Sequence, residues 1–300
     1  MERGYLGGVD VGGSKVRVLI ADHAGTIIAR DEKPLCLQEG LFKQWRDGTA
    51  YYGIATQIEQ MFGRLLDSAN ISTHTAIGIG SAGPLQDGAV INSPNTNLPP
   101  MPAGFPREPI YLPLTEPLQD AFSTSIRLEN DCNTAVLGEV IYGVGKKTVD
   151  KNVLHLVYVT LSTGLGAGVW TGGHLLRGKD GNAAEIGHIL VKEGGLRCGC
   201  GNDGCAEAYC SGNGIESNAR TRLLAEKLPE RLPLIKLATD ASTRAGQTVD
   251  REDPCSLLRF VKSPLIFQAE KMGDPITRGH LGDDPLRWDC PRRDRRRLRP

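Results

Sequence analysis

Most features that would send a chain to a membrane, a nucleic acid or an oxidising compartment are missing. No apolar run reaches the roughly 18 residues of a spanning helix, and the opening MERGYLGGVD lacks the apolar stretch of a signal peptide. Neither sign of charge is in excess. The 35 Lys and Arg balance 35 Asp and Glu, so the chain as a whole indicates neither an anionic membrane nor nucleic acid as partner. Aromatic residues make up only 5%, too few for a stacking surface that grips single strands. Of the eight cysteines, Cys36, Cys132, Cys210, Cys255 and Cys290 are scattered without a pattern, as suits a reducing compartment. A soluble cytoplasmic protein is the expectation. Its 300 residues suffice for one large or two medium domains with real cores.

The densest chemistry lies in residues 185–207, EIGHILVKEGGLRCGCGNDGCAE, where His188 is followed by Cys198, Cys200 and Cys205. Three thiols and an imidazole form the donor set that Zn²⁺ takes in a tetrahedron. Closed by four protein ligands, such a site leaves no position for a reacting water and is structural. Gly194, Gly195, Gly199, Gly201 and Gly204 are expected to turn the backbone tightly enough to gather the sulfurs. Asn182, Glu185 and Glu207 sit beside the ligands, where a metal clip would fix their side chains too. The alternative is a Gly-rich loop of reduced thiols, or a disulfide.

Residues 5–20 are apolar and alternating on both sides of a Gly-Gly turn, as two paired strands are. The turn combines the carboxylate of Asp10, the bare backbone of Gly12 and Gly13, the hydroxyl of Ser14 and the cation of Lys15. Such a set approaches phosphate and its Mg²⁺, although an ordinary hairpin carries similar glycines. A strand over 25–33, a helix over 49–67 and strands over 75–80 and 89–91 follow, an α/β order. The Pro- and Asn-rich piece 92–113 reads as a long loop near a cleft, with a solvated connector as the alternative. Residues 126–142 read as a strand, a polar corner Glu129-Asn130-Asp131 and a helix. A carboxylate held at such a corner is well placed for a general base; alternatively, Asp131 or Asn133 simply caps the helix. Residues 153–176 repeat the opening plan of strand, Gly-rich turn and returning strand, so two phosphate turns are expected to face a cleft between similar lobes. A helix over 215–228 follows. Beyond 229 prolines are scattered and no strand is convincing, and the terminal PRRDRRRLRP sets six arginines against one aspartate, a solvated run.

DVGGSK, SAGP, SPN, LENDCNTAVLGE, LSTGLGAG and a GH followed by C-x-CG-x-x-GC-x-E occur in that order over residues 5–228. In these motifs the sequence resembles the ROK family of bacterial and archaeal sugar kinases and sugar-responsive repressors. The resemblance implies a two-lobed, duplicated ribonuclease-H-like α/β fold of the actin and hexokinase type. Its lobes would span 1–120 and 121–276, the second incomplete, with an atypical basic tail over 277–300. It implies ATP-dependent phosphorylation of a hexose or N-acetylhexosamine, the 6-hydroxyl of glucose first, with Asp131 as base. Gly83, Asn95, Asn130, Asp131, Glu185, His188 and Glu207 would hold the sugar. Asp10, Gly12, Gly13, Ser14, Lys15, Ser162, Thr163 and Gly164 would contact the phosphates of ATP and Mg²⁺. His188 would serve both zinc and sugar. A homo-oligomer, dimer or tetramer, is expected, with no nucleic-acid partner. A regulator is the first alternative, opposed by a first strand at Tyr5 that leaves no room for a preceding helix-turn-helix. An inactive sugar-binding remnant is the second, because the family's late apolar helix, strand and triple-Gly turn do not follow residue 276. A truncation or frame change near Thr277 would account for that.

Overall fold

The structure is a computed structural model that describes residues 4–35, 43–44, 50–51, 53–72, 76–91, 111–179, 181–225, 230, 232–248, 250 and 254–278. Alternating apolar residues lay down its first sheet. Tyr5–Val11 (β1) and Lys15–Asp22 (β2) pair antiparallel, from Tyr5↔Asp22 to Val11↔Val16. That register puts Val9, Val11, Val16, Val18 and Ile20 on one buried face, as a period of two requires. Ile27–Pro34 (β3) adds antiparallel to β2.

Lys43–Gln44 (β4) and Ala50–Tyr51 (β5) form a two-stranded ribbon before the first helix, Ile54–Ser68 (α1). The expected helical start is thereby corrected. Tyr51 belongs to a strand, and Gly53 at the N-cap separates it from α1. Ile54, Ile58, Met61, Phe62 and Leu65, spaced three and four apart, are buried on one face of α1. Phe62 meets Phe122 edge-on at 5.3 Å between centroids, and a Cβ on Gly7 would collide with the Phe62 ring. Only glycine at position 7 lets α1 close on β1.

Ala76–Ser81 (β6) runs parallel to β1. Leu85–Gln86 (β7), Ala89–Ile91 (β8) and Tyr111–Pro113 (β9) make a small antiparallel sheet. Asp87 and Gly88 join β7 to β8 with φ of 48° and 78°, the pair of positive values that a two-residue hairpin turn needs. Strand β9 corrects the end of the 92–113 loop. Leu112 is buried there, and Pro113 ends an edge strand, the kind of strand in which a missing N–H is tolerated. Residues 92–110 lie outside the described residues.

Thr115–Phe122 (α2) leads to Ser125–Asn130 (β10), parallel to β6, which completes the order β10-β6-β1-β2-β3. Asp131–Ile141 (α3) follows. Leu156–Leu161 (β11), Leu165–Thr171 (β12) and His174–Leu175 (β13) form a further three-stranded sheet in chain order, the predicted repetition of the opening meander. Gly168 of β12 abuts α3 so closely that a Cβ there would meet the Cys132 carbonyl.

The chain divides into two compact units, Met1–Thr160 with Leu165–Ile189, and Leu161–Gly164 with Leu190–Pro300. In the second unit the described residues beyond the cysteine loop are helical: Ala206–Cys210 (α4), Gly212–Ala225 (α5), Pro233–Arg244 (α6), Pro254–Leu258 (α7), Ser263–Lys271 (α8) and Pro275–Arg278 (α9). The weak reading beyond 229 is corrected here. Its prolines open helices, at or next to the first residue of α6, α7, α8 and α9, where the absent N–H would have no helical partner. Leu223, Leu234, Ile235, Leu257, Val261, Ile266 and Ile276 form this unit's core. Buried Asp274 accepts from the backbone N–H of Leu234 (2.7 Å) and Ile276 (2.8 Å), joining the starts of α6 and α9. Residues 279–300 lie outside the described residues.

Glu216 of α5 fastens this core. It accepts from Arg220 (2.8 Å), Lys262 (3.1 Å) and the Ser263 backbone N–H (3.0 Å). Burial opposes its ionisation, but these donors outweigh burial and hold its pKa below the ordinary 4.5. A depressed folded pKa adds stability that is present above the unfolded value and lost as pH falls through the folded one. Glu216→Gln is therefore expected to lower the urea midpoint at neutral pH, with the gap from the parent closing below about pH 4. A gap independent of pH would mean that the carboxylate's charge contributes nothing.

Candidate functional site

The carboxyl ends of the parallel strands β1, β6 and β10 align in register. Asp10, Gly80 and Glu129 form one row, and Val11, Ser81 and Asn130 the next. Ligands in α/β sheets bind beyond such ends. Asp10, Gly83, Asn130 and Asp131 therefore share one edge of the first sheet.

At the β10–α3 corner the expected cap is corrected. Asn130 holds the N-cap position, and its Oδ1 accepts from the backbone N–H groups of Cys132 (2.9 Å) and Asn133 (3.2 Å). Asn at the end of a strand and before a helix is itself a capping signal. The cap uses the Asn130 oxygen, and its amide nitrogen lies 3.9 Å from where a Gly83 Cβ would stand. Asp131 begins α3; its Oδ1 accepts from Cys132 N–H at 2.8 Å and its carbonyl from the Thr134 hydroxyl at 2.7 Å. Gly80 lets α3 approach, since a Cβ there would press on that Thr134 hydroxyl at 2.7 Å. Cys132 is an inert thiol: burial first, and then the neighbouring Asp131 carboxylate, push its pKa up to about 12.

Glu129 belongs to the polar corner read from the sequence, but its partners are not marked by sequence patterning. Its Oε1 accepts from Asn130 N–H (3.1 Å) and Asn133 Nδ2 (3.0 Å), and its Oε2 from Arg177 Nε (2.6 Å). Burial disfavours its charge, but Arg177 and Asn133 prevail and hold the pKa below the ordinary range.

The first Gly-rich turn closes through Gly12 N–H to the Lys15 carbonyl at 2.9 Å. Around it lies an ion-pair ladder. Arg17 bridges Asp10 (2.8 Å) and Glu32 (2.6 Å), and Lys15 also binds Glu32. The Glu32 carboxyl falls to about 2, through Lys15 first and Arg17 second, and Arg17 is raised by Glu32 and Asp10. All these side chains are substantially exposed, so the pairs add little stability. Their effect is local. Asp10 and Lys15 already have partners, which a metal or a phosphate would have to displace. Arg17 is the cross-strand neighbour of Asp10 and lies two residues from Lys15 on the same face of β2, a signal open to period-two reasoning.

The second turn, Ser162 to Gly164, is fixed through its backbone. The Ser162 and Thr163 carbonyls accept from Gly212 N–H (2.7 Å) and Asn213 N–H (3.1 Å) at the start of α5. A Cβ on Gly212 would stand 2.9 Å from the Ser162 carbonyl. The exposed Ser162 and Thr163 side chains are spared from this contact.

The His188–Cys205 stretch brings its four predicted ligands together. One donor atom from each of His188, Cys198, Cys200 and Cys205 lies within 4.8 Å of the others. Bridges Leu190↔Cys205 and Arg197↔Asp203 shape the loop. Gly204, at φ +84°, is required because a Cβ would strike the Lys192 carbonyl. Gly195 makes room for the Tyr209 hydroxyl, which accepts from Leu196 N–H at 2.8 Å. Gly199 does neither. It has open space and no positive φ, which corrects the role expected of it. None of these thiols is in a disulfide: the Cys200 and Cys205 sulfurs stand 3.7 Å apart, far beyond the ~2.05 Å of an S–S bond. Sulfurs bound tetrahedrally at ~2.3 Å from zinc lie about 3.8 Å apart, so spacing and donor chemistry both fit that ion. Burial raises the Cys198 and Cys205 thiols, whereas the Asn202 backbone N–H lowers exposed Cys200. Glu185 lies 3.8 Å from His188 Nε2, and Glu207 on α4 lies 4.0 Å from the Cys198 sulfur. Ala184, beside Glu185, takes a φ of +61°, a costly conformation for alanine. Asn95 lies outside the described residues.

The chain is 34% identical over 210 residues to a glucokinase of Thermotoga maritima, covering 69% of this chain and 57% of that one. It is 28% identical to the xylose repressor of Bacillus subtilis over 73% of this chain and 51% of that protein. Among solved structures it resembles a ROK family glucokinase from Streptomyces griseus in complex with glucose and AMPPNP. The TM-score is 0.60 with 26% identity, and 93% of this chain and 74% of that one are covered. The chain thus spans little more than half the length of the first two relatives. Strand order and structural likeness define an ATPase fold of the actin and hexokinase class. The chain belongs to the ROK family, whose sequence model matches residues 6–253. No helix among the described residues is long and apolar enough to cross a membrane.

Proposed function

We propose that the protein is an ATP-dependent hexose kinase of the ROK family, acting first on the 6-hydroxyl of glucose. The observation that carries this reading is the corner where β10 meets α3. A capped strand end there sets Asp131 at the first position of α3, directly after Asn130, whose amide nitrogen lies 3.9 Å from where a Gly83 Cβ would stand, on the same sheet edge as Asp10. The matched glucokinases support it.

Asp131 takes the proton of the sugar hydroxyl as that oxygen attacks the γ-phosphorus; the bond to ADP breaks and ADP leaves with its electron pair. Cys132 N–H holds one Asp131 oxygen, so the carboxylate is oriented before the sugar arrives. Asn130, Gly83, Asn95, Glu185, His188 and Glu207 grip the sugar hydroxyls. The turn of Asp10, Gly12, Gly13, Ser14 and Lys15 and that of Ser162, Thr163 and Gly164 take the phosphates. Phosphoryl transfer needs mainly such positioning and charge neutralisation. Mg²⁺, when bound with ATP, supplies positive charge to the phosphates, and Asp10 is the carboxylate here that suits it. Zinc, when bound by His188, Cys198, Cys200 and Cys205, fixes the imidazole's tautomer and direction so that its other nitrogen can donate to the sugar. The functional lobes are proposed at 1–120 and 121–276.

The matched xylose repressor favours one other reading, a sugar-responsive regulator. ADP release with Mg-ATP and a panel of glucose, N-acetylglucosamine, N-acetylmannosamine, mannose and fructose separates the two. A kinase consumes ATP only when its sugar is present. A regulator binds a sugar and leaves ATP intact.

A further inference from the structure

Arg177 stands 48 residues from Glu129, yet its Nε donates to Glu129 Oε2 at 2.6 Å. The two ends differ in character. The Glu129 side chain is 18% exposed and makes two further hydrogen bonds to the Asn130–Asn133 corner, while Arg177 is 58% exposed. Arg177 also opens the loop that carries Glu185 and His188. Its carbonyl accepts from Ala183 N–H at 3.0 Å, closing residues 177–183 into a ring. Inside that ring a Cβ on Gly178, at φ +72°, would crowd Ala183. Past it come Ala184, in its strained conformation, Glu185, and the 3-10 turn Ile186–His188. The ring is closed on itself, so whatever holds Arg177 sets where the residues after it begin.

We propose that the Arg177–Glu129 ion pair is a positioning clamp for substrate: it fixes the loop bearing Glu185 and His188 to the corner bearing Asn130 and Asp131. Arg177 is a positioning residue, not a catalytic one. The clamp is more than a surface ion pair because its carboxylate is largely removed from water and is shared with the helix cap. Loss of the guanidinium leaves Glu129 charged and short of a donor, and frees the ring. Glu129 then keeps only the Asn130 backbone N–H and the Asn133 side-chain amide as donors. The consequence for turnover rests on the kinase reading above, whereas the consequence for the loop does not.

The test uses the zinc-loaded chain and Arg177→Gln, Glu129→Gln and the double variant. The KM for sugar is expected to rise roughly tenfold to a hundredfold in Arg177→Gln, the scale set by loss of a hydrogen bond to a charged group, while the KM for ATP stays within about twofold. The double variant should be no worse than the more affected single one, because both remove the same link. Arg177→Lys should recover part of the loss. Hydrogen exchange over 177–188 should quicken in Arg177→Gln with zinc retained. Unchanged exchange there overturns the clamp, whether or not the chain phosphorylates sugar. Equal rises in both KM values with a lowered melting temperature overturn it too, as they would signal general damage. No sugar-dependent turnover in the parent, together with faster loop exchange in the variant, keeps the clamp and refutes the kinase reading.

Discussion

Asp131→Asn is expected to lower turnover at least about a hundredfold while changing sugar affinity by no more than a few-fold, the signature of a lost general base. The amide matches the carboxylate in size and keeps an oxygen to accept from Cys132 N–H, so the start of α3 should persist. Only proton acceptance is removed. Turnover at saturating sugar and calorimetric sugar affinity, measured on the same preparation, separate the alternatives. Unchanged turnover would place the base elsewhere, and a loss of binding that accounts for the whole effect would make Asp131 a sugar ligand only and not the base.

Replacing one of the proposed metal ligands should have the second largest effect. Cys200→Ser is expected to cut zinc affinity by more than the roughly 10–100-fold that follows loss of an outer-shell partner. Sugar affinity should fall with it, because the loop that ends in Cys205 begins beside Glu185 and His188. Gly199→Ala is the control: the position has open space and no positive φ, so zinc should be retained. Metal content per chain and sugar affinity measured together decide the matter. Full zinc in Cys200→Ser would show that the ligand set is misassigned.

What the sequence revealed depended on whether the controlling interaction was local. Strands β1 and β2 were legible because Val9, Val11, Val16, Val18 and Ile20 alternate, and period-two burial leaves one solution. The cluster of His188, Cys198, Cys200 and Cys205 was legible because donor type and spacing make such a set recognisable within one short loop. Tyr51 was misplaced because its apolar side chain fits a helical period as well as a strand, and only Gly53 marks the boundary. The four late helices were not read from the sequence, where only scattered prolines stood out beyond 229, although Pro233, Pro254, Pro264 and Pro275 all stand in first turns. Asn130 as cap and Asp87-Gly88 as hairpin turn were local signals that were available. The engagement of Asp10 by Arg17 needs the strand register, and the Glu129–Arg177 pair needs the fold itself.

The most direct test of the kinase reading is the identity of the product. The protein, loaded with zinc, is incubated with Mg-ATP and glucose, and the phosphorylated sugar is located by phosphorus–proton correlation NMR while ADP is counted. One ADP per sugar phosphate, with the phosphate on the 6-oxygen, is the predicted result. ADP accompanied by inorganic phosphate alone, or phosphate on another oxygen, would contradict the transfer assigned to Asp131.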